Sequence, residues 1–117
     1  MEIEEKLKFI GIYDPEGAER LKRLLDRKDV LKEGNVYKEK FTERQFSIIF
    51  MRLLNSTFER ARVLEALSVE EIIPLLSERL AMRKDTIFLY CKELMRKNLI
   101  EVSGMRGRDP IFRRRAV

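Results

Sequence analysis

The hydrophobic positions in residues 1–55 recur every three or four residues, which is the period of an amphipathic helix. Residues 3–10 predict a first helix, which Gly11 ends. A second helix is expected to start at Asp14 and Pro15, because aspartate accepts hydrogen bonds from free helix N–H groups and proline has no N–H to leave unpaired there. Its apolar face contains Ala18, Leu21, Leu24 and Leu25. The segment KEGN (32–35) then ends it.

A third helix differs from the first two because apolar residues cover most of its circumference. Thr42 and Gln45 form a capping box, which predicts its start before the segment ERQFSIIFMRLLN. Its apolar residues are Phe46, Ile48, Ile49, Phe50, Met51, Leu53 and Leu54. One interpretation is a central helix buried by its own chain. Because a small domain offers little protein to cover such a helix, we favour a homodimer whose contact residues are Phe46, Ile49, Phe50 and Leu53.

From Ser56 onward the pattern changes, and FERARVLEAL predicts a helix with one apolar face. The next helix has two candidate starts. Ser68 and Glu71 form a capping box, but Pro74 would then lie inside the helix and cost about 3 kcal/mol. We favour the alternative, in which Ile72 and Ile73 form a short strand and Pro74 opens the helix.

The remaining residues predict two short helices joined by a tight turn, and then a β-hairpin. LLSERL forms the first helix, AMRKD the turn, residues 86–98 the second helix and residues 101–115 the hairpin. Helical spacing directs one set of side chains of the second helix to the core, namely Ile87, Tyr90, Cys91 and Leu94. The opposite face presents Asp85, Phe88, Leu89, Lys92 and Arg96. Cys91 is therefore expected to be an inert buried thiol.

Positive charge is concentrated near the carboxyl end of the chain. Residues 1–54 hold 12 Lys or Arg against 11 Asp or Glu, whereas the numbers from Arg83 onward are 10 against 4. A positive field confined to one part of a protein favours an anionic partner such as nucleic acid. A solvated basic face is the alternative interpretation.

The residue content argues against catalysis and against a metal or cofactor. The chain has no His and one Cys, which excludes standard zinc and iron–sulfur sites and the Ser–His–Asp and Cys–His arrangements within one chain. Its five Gly are scattered, so they form no phosphate-binding loop. No apolar run approaches the roughly 18 residues that span a bilayer, and the amino terminus is too acidic for a signal peptide. We expect a cytoplasmic protein that is not an enzyme, and the scarcity of Asn and Gln favours a thermophilic or archaeal source.

The segment LLSERLAMRKDTIFLYCKELMRKNLIEV resembles the winged helix-turn-helix of bacterial and archaeal transcription regulators. The matching apolar positions are Leu76, Leu80, Met82, Thr86, Ile87, Tyr90, Leu94, Leu99 and Ile100. The resemblance covers residues 56–115. It implies a mainly α fold, in which residues 1–55 form an N-terminal helical region for dimerisation and residues 56–117 form a winged helix-turn-helix domain.

The resemblance also implies a function, which is the binding of double-stranded DNA by a homodimeric transcription regulator. Helix 86–98 would be the recognition helix in the major groove, and hairpin 101–115 would be a basic wing. The DNA-binding residues would be Arg83, Lys84, Thr86, Phe88, Leu89, Lys92, Arg96, Arg106, Arg108 and Arg113. The alternative is a docking module or small subunit of a larger complex, because Phe88 and Leu89 are large apolar residues that suit a protein partner.

Overall fold

The computed structural model describes residues 1–27 and 43–115, which are mainly helical and carry one small antiparallel sheet. The helices are α1 (Ile3–Tyr13), α2 (Pro15–Asp26), α3 (Glu43–Ala66), α4 (Ile73–Leu80) and α5 (Lys84–Arg96). The strands are β1 (Glu71–Ile72), β2 (Ile100–Arg106) and β3 (Asp109–Arg114). The chain divides into an N-terminal unit, Met1–Glu59, and a C-terminal unit, Arg60–Val117. The expected capping box at Thr42 and the KEGN segment lie outside the described residues.

The boundary between α1 and α2 lies at Asp14. The Asp14 carboxylate accepts a hydrogen bond of 3.0 Å from the backbone N–H of Gly17, and Pro15 occupies the first turn of α2. The expected cap is therefore confirmed. The prediction that Gly11 ends α1 is wrong, because α1 continues to Tyr13. A single glycine weakens a helix without breaking it, whereas the residue before a proline is forced out of the helical conformation.

Aromatic and aliphatic side chains hold the N-terminal unit together. The Phe9 ring lies 5.1 Å from Tyr13 and 5.3 Å from Phe58, an edge-on arrangement in the second case. Lys6 donates a hydrogen bond of 3.1 Å to Asn55, and its ammonium lies 5.2 Å from the Phe58 ring centroid. The buried apolar residues of this unit are Leu7, Ile10, Ala18, Leu21, Phe46, Phe50 and Leu54.

Helix α3 is continuous from Glu43 to Ala66, so the expected start of a separate helix near Ser56 is wrong. Asn55, Ser56 and Thr57 look like a polar interruption in the sequence, but none of them is a proline or glycine. Ser56 donates its hydroxyl hydrogen bond to the carbonyl of Leu53, and Thr57 is only 6% exposed. Polar residues that bond back to the preceding turn are compatible with an unbroken helix.

The three strands of the C-terminal unit form a sheet in the order β1-β3-β2, with both pairs antiparallel. Ile72 pairs with Ile111, and Pro74 lies in the first turn of α4. This arrangement confirms the short strand and the proline start, with both elements beginning one residue earlier than expected. Ser103 is an extra residue between Val102 and Gly104 in the β2–β3 register, which makes a β-bulge.

The two-residue loop between β2 and β3 consists of Gly107 and Arg108, since Arg106 pairs with Asp109. Gly107 has a φ of 63°, and Arg108 is not among the residues of positive φ. Positive φ at the first loop residue alone is the pattern of a type II′ turn, which favours glycine there and matches the twist of a hairpin. This turn directs Arg108 into solvent, where it is exposed.

Left-handed residues end α4 and α5. Ala81 after α4 has a φ of 54°, and the N–H of Met82 donates to the carbonyl of Ser77 at 3.2 Å. Asn98 after α5 has a φ of 59°, and the N–H of Leu99 donates to Leu94 at 2.9 Å. Both are Schellman endings. They turn the chain sharply, so that α5 follows α4 after three residues and β2 follows α5 after three more.

The core of the C-terminal unit contains side chains from every one of its elements. Its buried apolar residues are Ala61, Val63, Leu64, Leu67, Ile72, Leu76, Leu80, Met82, Ile87, Cys91, Leu94, Ile100 and Phe112. The backbone N–H of Arg114 donates to the carbonyl of Leu67, and that of Arg115 donates to Leu99, both at 2.9 Å. These bonds attach the end of β3 to the segments that follow α3 and α5. The hairpin is thereby held against the ends of α3 and α5.

Candidate functional site

Helix α5 has one buried face and one solvent face, and this division positions the candidate site. Ile87, Cys91 and Leu94 are at most 4% exposed, and Tyr90 is half-buried. Burial raises the pKa of the Cys91 thiol to about 12, because the thiolate would lie in an apolar surrounding. The expected inert thiol agrees with this burial. The five residues expected on the opposite face are all exposed.

Four residues of the solvent face follow one another at intervals of four and form a single ridge along α5. We call this set the α5 ridge; it consists of Lys84, Phe88, Lys92 and Arg96. At 1.5 Å per residue, the ridge is about 18 Å long. The Lys92 ammonium lies 5.7 Å from the Phe88 ring centroid, within the range of a cation–π contact. Leu89 lies beside the ridge and is 56% exposed.

The three cations of the α5 ridge have no carboxylate partner among the described residues. The ion pairs of the C-terminal unit involve other arginines, and Lys84, Lys92 and Arg96 form none within residues 1–27 and 43–115. Glu93, on the same helix, pairs with Arg60 of α3 and so does not neutralise the ridge. An exposed row of cations attracts an anion, and these three cations need not first break an ion pair with a described residue.

The start of α5 contains two further candidate residues, and both are engaged locally. Arg83 forms an ion pair of 2.9 Å with Asp85, in which both side chains are largely exposed. Asp85 also accepts a hydrogen bond of 2.9 Å from the backbone N–H of Thr86. Thr86 is half-buried. These residues flank the ridge, but an anion would have to compete with Asp85 for Arg83 and for the helix N-terminus.

Two arginines of the hairpin, Arg106 and Arg108, differ in whether they form an ion pair with a described residue. Arg106, the last residue of β2, forms an ion pair of 3.1 Å with Glu71, whose side chain is only 12% exposed. Arg79 of α4 approaches the same carboxylate at 3.6 Å. Arg108 occupies the turn and forms no ion pair with any described residue. The hairpin tip therefore offers Arg108 directly, while Arg106 ties the end of β2 to β1.

The return strand carries the remaining candidate, Arg113. It forms an ion pair of 2.9 Å with Glu101, and Arg115 approaches the same carboxylate at 3.9 Å. Arg114 lies between them and is half-buried, as strand alternation predicts. Glu101 therefore offsets part of the positive charge on this face of the hairpin.

The four residues expected at a dimer contact are divided between the interior and the surface. Phe46 and Phe50 are 4% and 3% exposed, and their rings stack at 5.9 Å. They are therefore core residues of the chain, and their side chains are not exposed for the expected dimer contact. Ile49 and Leu53 are 43% and 46% exposed, and Ile48 and Met51 are exposed beside them. The open apolar surface of α3 comprises Ile48, Ile49, Met51 and Leu53.

Sequence reasoning missed one cation, Lys97, which directly follows α5 and is exposed. It forms no ion pair with a described residue. Its position after Arg96 in a basic segment was the available signal. The ion pairs Arg106–Glu71 and Arg113–Glu101 had no such signal. Glu101 and Arg113 are neighbours in the β2–β3 register, and Glu71 and Arg106 lie on the two outer strands of the same sheet.

No group of three or more His, Cys, Asp or Glu side chains within residues 1–27 and 43–115 is arranged to hold a metal ion. Within the same ranges, no helix combines the length and the apolar character required to cross a membrane. A solvent-open depression of about 260 Å³ is lined by Glu4, Glu5, Leu7, Lys8 and Lys22. Its mixed charges favour no particular ligand.

Comparisons with protein-family models, with curated proteins and with solved structures give no match.

Proposed function

We propose that residues 56–115 form a winged helix-turn-helix domain that binds double-stranded DNA, and that the protein acts as a homodimeric transcription regulator. In this proposal α5 lies in the major groove, and the β2–β3 hairpin is the wing that contacts the backbone. The observation that carries the proposal is the row of cations on the solvent face of α5, together with Arg108 at the hairpin tip, none of which forms an ion pair with a described residue.

The order of the elements supports this reading of the fold. A short strand, two helices joined by a tight turn and a two-stranded hairpin follow one another between Glu71 and Arg114. β1 pairs with β3, so the strand before the helices joins the hairpin that follows them. In a winged helix-turn-helix the second helix of the pair is the one that enters the groove, and here that helix is α5.

The dimensions and the charge of α5 suit the major groove. An α-helix with its side chains is about 10–12 Å wide, and the major groove of B-DNA is about 12 Å wide. Lys84, Lys92 and Arg96 lie on the exposed ridge, and none of them has a carboxylate partner among residues 1–27 and 43–115 to release before it binds phosphate. Arg96 also has the planar group that reads guanine edges by two hydrogen bonds.

The wing contributes fewer free cations than its sequence implies. Arg108 is available at the tip, whereas Arg106 and Arg113 are held by Glu71 and Glu101. Arginine at a hairpin tip suits the backbone and the minor groove. We infer that Arg108 makes the main wing contact and that the two paired arginines orient the hairpin.

Dimerisation is supported by the open apolar surface of α3. Ile48, Ile49, Met51 and Leu53 are between 37% and 50% exposed, and Arg52 is the only charged residue between Phe46 and Leu54. Contiguous exposed apolar side chains mark interaction surfaces. A two-fold dimer would present two α5 helices to a DNA site of matching symmetry.

A salt titration tests the DNA proposal. Fluorescence anisotropy of a labelled mixed-sequence duplex is measured with increasing protein at several salt concentrations. If Lys84, Lys92, Arg96 and Arg108 each neutralise one phosphate, the logarithm of the binding constant falls with the logarithm of salt at a slope of about −3 to −4 per protomer. Binding that is independent of salt, or absent at low salt, contradicts the proposal.

A second candidate function, protein docking, is favoured by the exposure of Phe88 and Leu89, which are 50% and 56% exposed. In that case Phe88→Ala with Leu89→Ala would abolish complex formation, whereas Lys92→Ala with Arg96→Ala would leave it largely intact. The DNA proposal predicts that the lysine and arginine substitutions cause the larger loss of affinity for duplex DNA.

A further inference from the structure

Phe88 and Leu89 are the two most exposed apolar side chains of α5, followed by Met95 at 40%. They lie among cations that have no ion-pair partner in the described part of the chain. Phe88 belongs to the α5 ridge, with Lys84 one turn before it and Lys92 one turn after it. Leu89 is its neighbour, and these two residues are 50% and 56% exposed. Neither packs into the core of the C-terminal unit, so folding does not account for their apolar character.

The surroundings of the two side chains favour a polyanionic partner that presents small apolar groups. A protein partner of ordinary composition would have to place carboxylates against Lys84, Lys92 and Arg96 around an apolar centre. Duplex DNA offers negative charge on both sides of the major groove, and within the groove the C5-methyl of thymine is the apolar group that a side chain meets. Duplex DNA can therefore contact both the cations and the apolar side chains of this face.

The Phe88 ring is also held in place before any partner binds. The ammonium of Lys92 lies 5.7 Å from the ring centroid, within the range of a cation–π contact. A side chain that is already restrained loses less conformational freedom on binding. Lys92 therefore has two roles on the ridge, since it carries charge and orients the ring.

We propose that Phe88 and Leu89 contact thymine C5-methyl groups in the major groove, and that the protein therefore prefers A·T base pairs beneath the first turns of α5. This inference rests on the proposed function, because it assumes that α5 enters the groove. It assigns a base preference to Phe88 and Leu89, whose apolar side chains are not suited to contact phosphates.

Replacing thymine by uracil tests the inference, because uracil lacks the C5-methyl group and leaves the base-pairing hydrogen bonds unchanged. Binding is measured by anisotropy for an alternating A·T duplex and for the same duplex containing uracil, at one salt concentration. The wild-type protein is compared with the double variant Phe88→Ala and Leu89→Ala. Since both residues are exposed, circular dichroism is expected to give the same helix content for the two proteins.

The expected result is about fourfold tighter binding of the thymine duplex for each methyl group that the wild-type protein contacts. The double variant is expected to bind the two duplexes equally, so the preference is lost with the side chains. Equal binding of both duplexes by the wild-type protein overturns the inference and leaves DNA binding intact. An unchanged preference in the double variant also overturns it. No binding to either duplex overturns the proposed function and this inference together.

Discussion

The two units of the chain expose different kinds of surface. Residues 1–54, most of the N-terminal unit, are nearly neutral, with 12 basic and 11 acidic residues, and the exposed apolar side chains of α3 form a patch with little charge. From Arg83 onward the chain holds 10 basic and 4 acidic residues. There the exposed apolar residues Phe88 and Leu89 lie among cations. An apolar patch that contains a single charged residue, Arg52, suits a second copy of the chain, and a cationic surface suits a polyanion.

The arrangement of carboxylates sharpens this contrast. Glu71 is shared by Arg79 and Arg106, and Glu101 is shared by Arg113 and Arg115. Both glutamates lie on the sheet, so the sheet offsets much of its own positive charge. The α5 ridge has no such partners among the described residues. Fewer basic residues of the C-terminal unit are available to a partner than its sequence suggests. The exposed ones without an ion pair among the described residues lie on α5, directly after it and at the hairpin tip.

The largest expected effect concerns the core that supports α5. Leu76 is fully buried, and Leu76→Ala is expected to lower the free energy of unfolding by about 2–5 kcal/mol through lost burial and a cavity. Its neighbour Leu75 is 38% exposed, so Leu75→Ala is the matched control and is expected to cost less than about 1 kcal/mol. Urea denaturation measures both. Equal losses would contradict the division of α4 into a buried and an exposed face.

The next effect concerns the inward face of α5. Because burial raises the pKa of Cys91 from 9.0 to about 12, the unfolded chain loses the thiol proton at a lower pH than the folded protein. The protonated Cys91 thiol therefore contributes its full stabilisation of the folded protein below pH 9, and this contribution is lost as the pH rises towards 12. Between pH 9 and 11, we expect the free energy of unfolding to fall by about 1–3 kcal/mol more in wild type than in the Cys91→Ala variant. Parallel pH profiles in urea denaturation would contradict the burial of the thiol.

The third prediction tests the role assigned to the N-terminal unit. Ile49→Glu with Leu53→Glu is expected to weaken a homodimer at least tenfold, because charge would enter an apolar contact. Ile3→Glu with Ile12→Glu is the matched control, since those residues are 39% and 69% exposed on α1 of the same unit. Sedimentation equilibrium measures both variants. A wild-type protein that stays monomeric at every concentration would remove the dimer from the account.

The smallest effect concerns the turn that joins α4 to α5. Ala81 has a φ of 54°, a left-handed conformation that costs alanine energy and costs glycine very little. Ala81→Gly is expected to raise the free energy of unfolding by about 0.5–1 kcal/mol. Thermal denaturation measures the change, and a decrease in stability would contradict the turn geometry. Asn98→Gly is a useful comparison, because asparagine tolerates the same conformation better than alanine does.

Local patterns predicted the elements of the C-terminal unit well. The short strand at Ile72 was predicted because Pro74 cannot lie inside a helix without cost. The two faces of α5 followed from helical spacing alone. Both signals depend on residues close together in sequence, and both are visible without knowledge of the tertiary structure.

Features that depend on distant residues were not predictable in the same way. Phe46 and Phe50 have the same apolar character as Ile49 and Leu53, so composition could not tell which of them the chain itself would bury. The continuity of α3 through Ser56 was missed because Asn55, Ser56 and Thr57 suggested a helix boundary. Polar residues alone do not end a helix, whereas a proline does. The partners of Arg106 and Arg113 depend on sheet register.

The most direct test of the central claim compares two matched pairs of charge deletions. Lys92→Ala with Arg96→Ala removes two cations from the α5 ridge, and Arg20→Ala with Lys22→Ala removes the same two residue types from α2. All four side chains are exposed, and none forms an ion pair within the described chain. The two variants therefore have the same net charge and differ only in the helix from which two positive charges were removed. Their affinities for duplex DNA are measured by anisotropy across a salt series.

The α5 variant is expected to bind duplex DNA at least tenfold more weakly than wild type at about 0.1 M salt, with a salt slope smaller by about two per protomer. The α2 variant is expected to bind as the wild-type protein does, within about twofold. Equal losses in the two variants would mean that net charge alone attracts the DNA, and unchanged binding by the α5 variant would contradict the assignment of α5 as the contact surface.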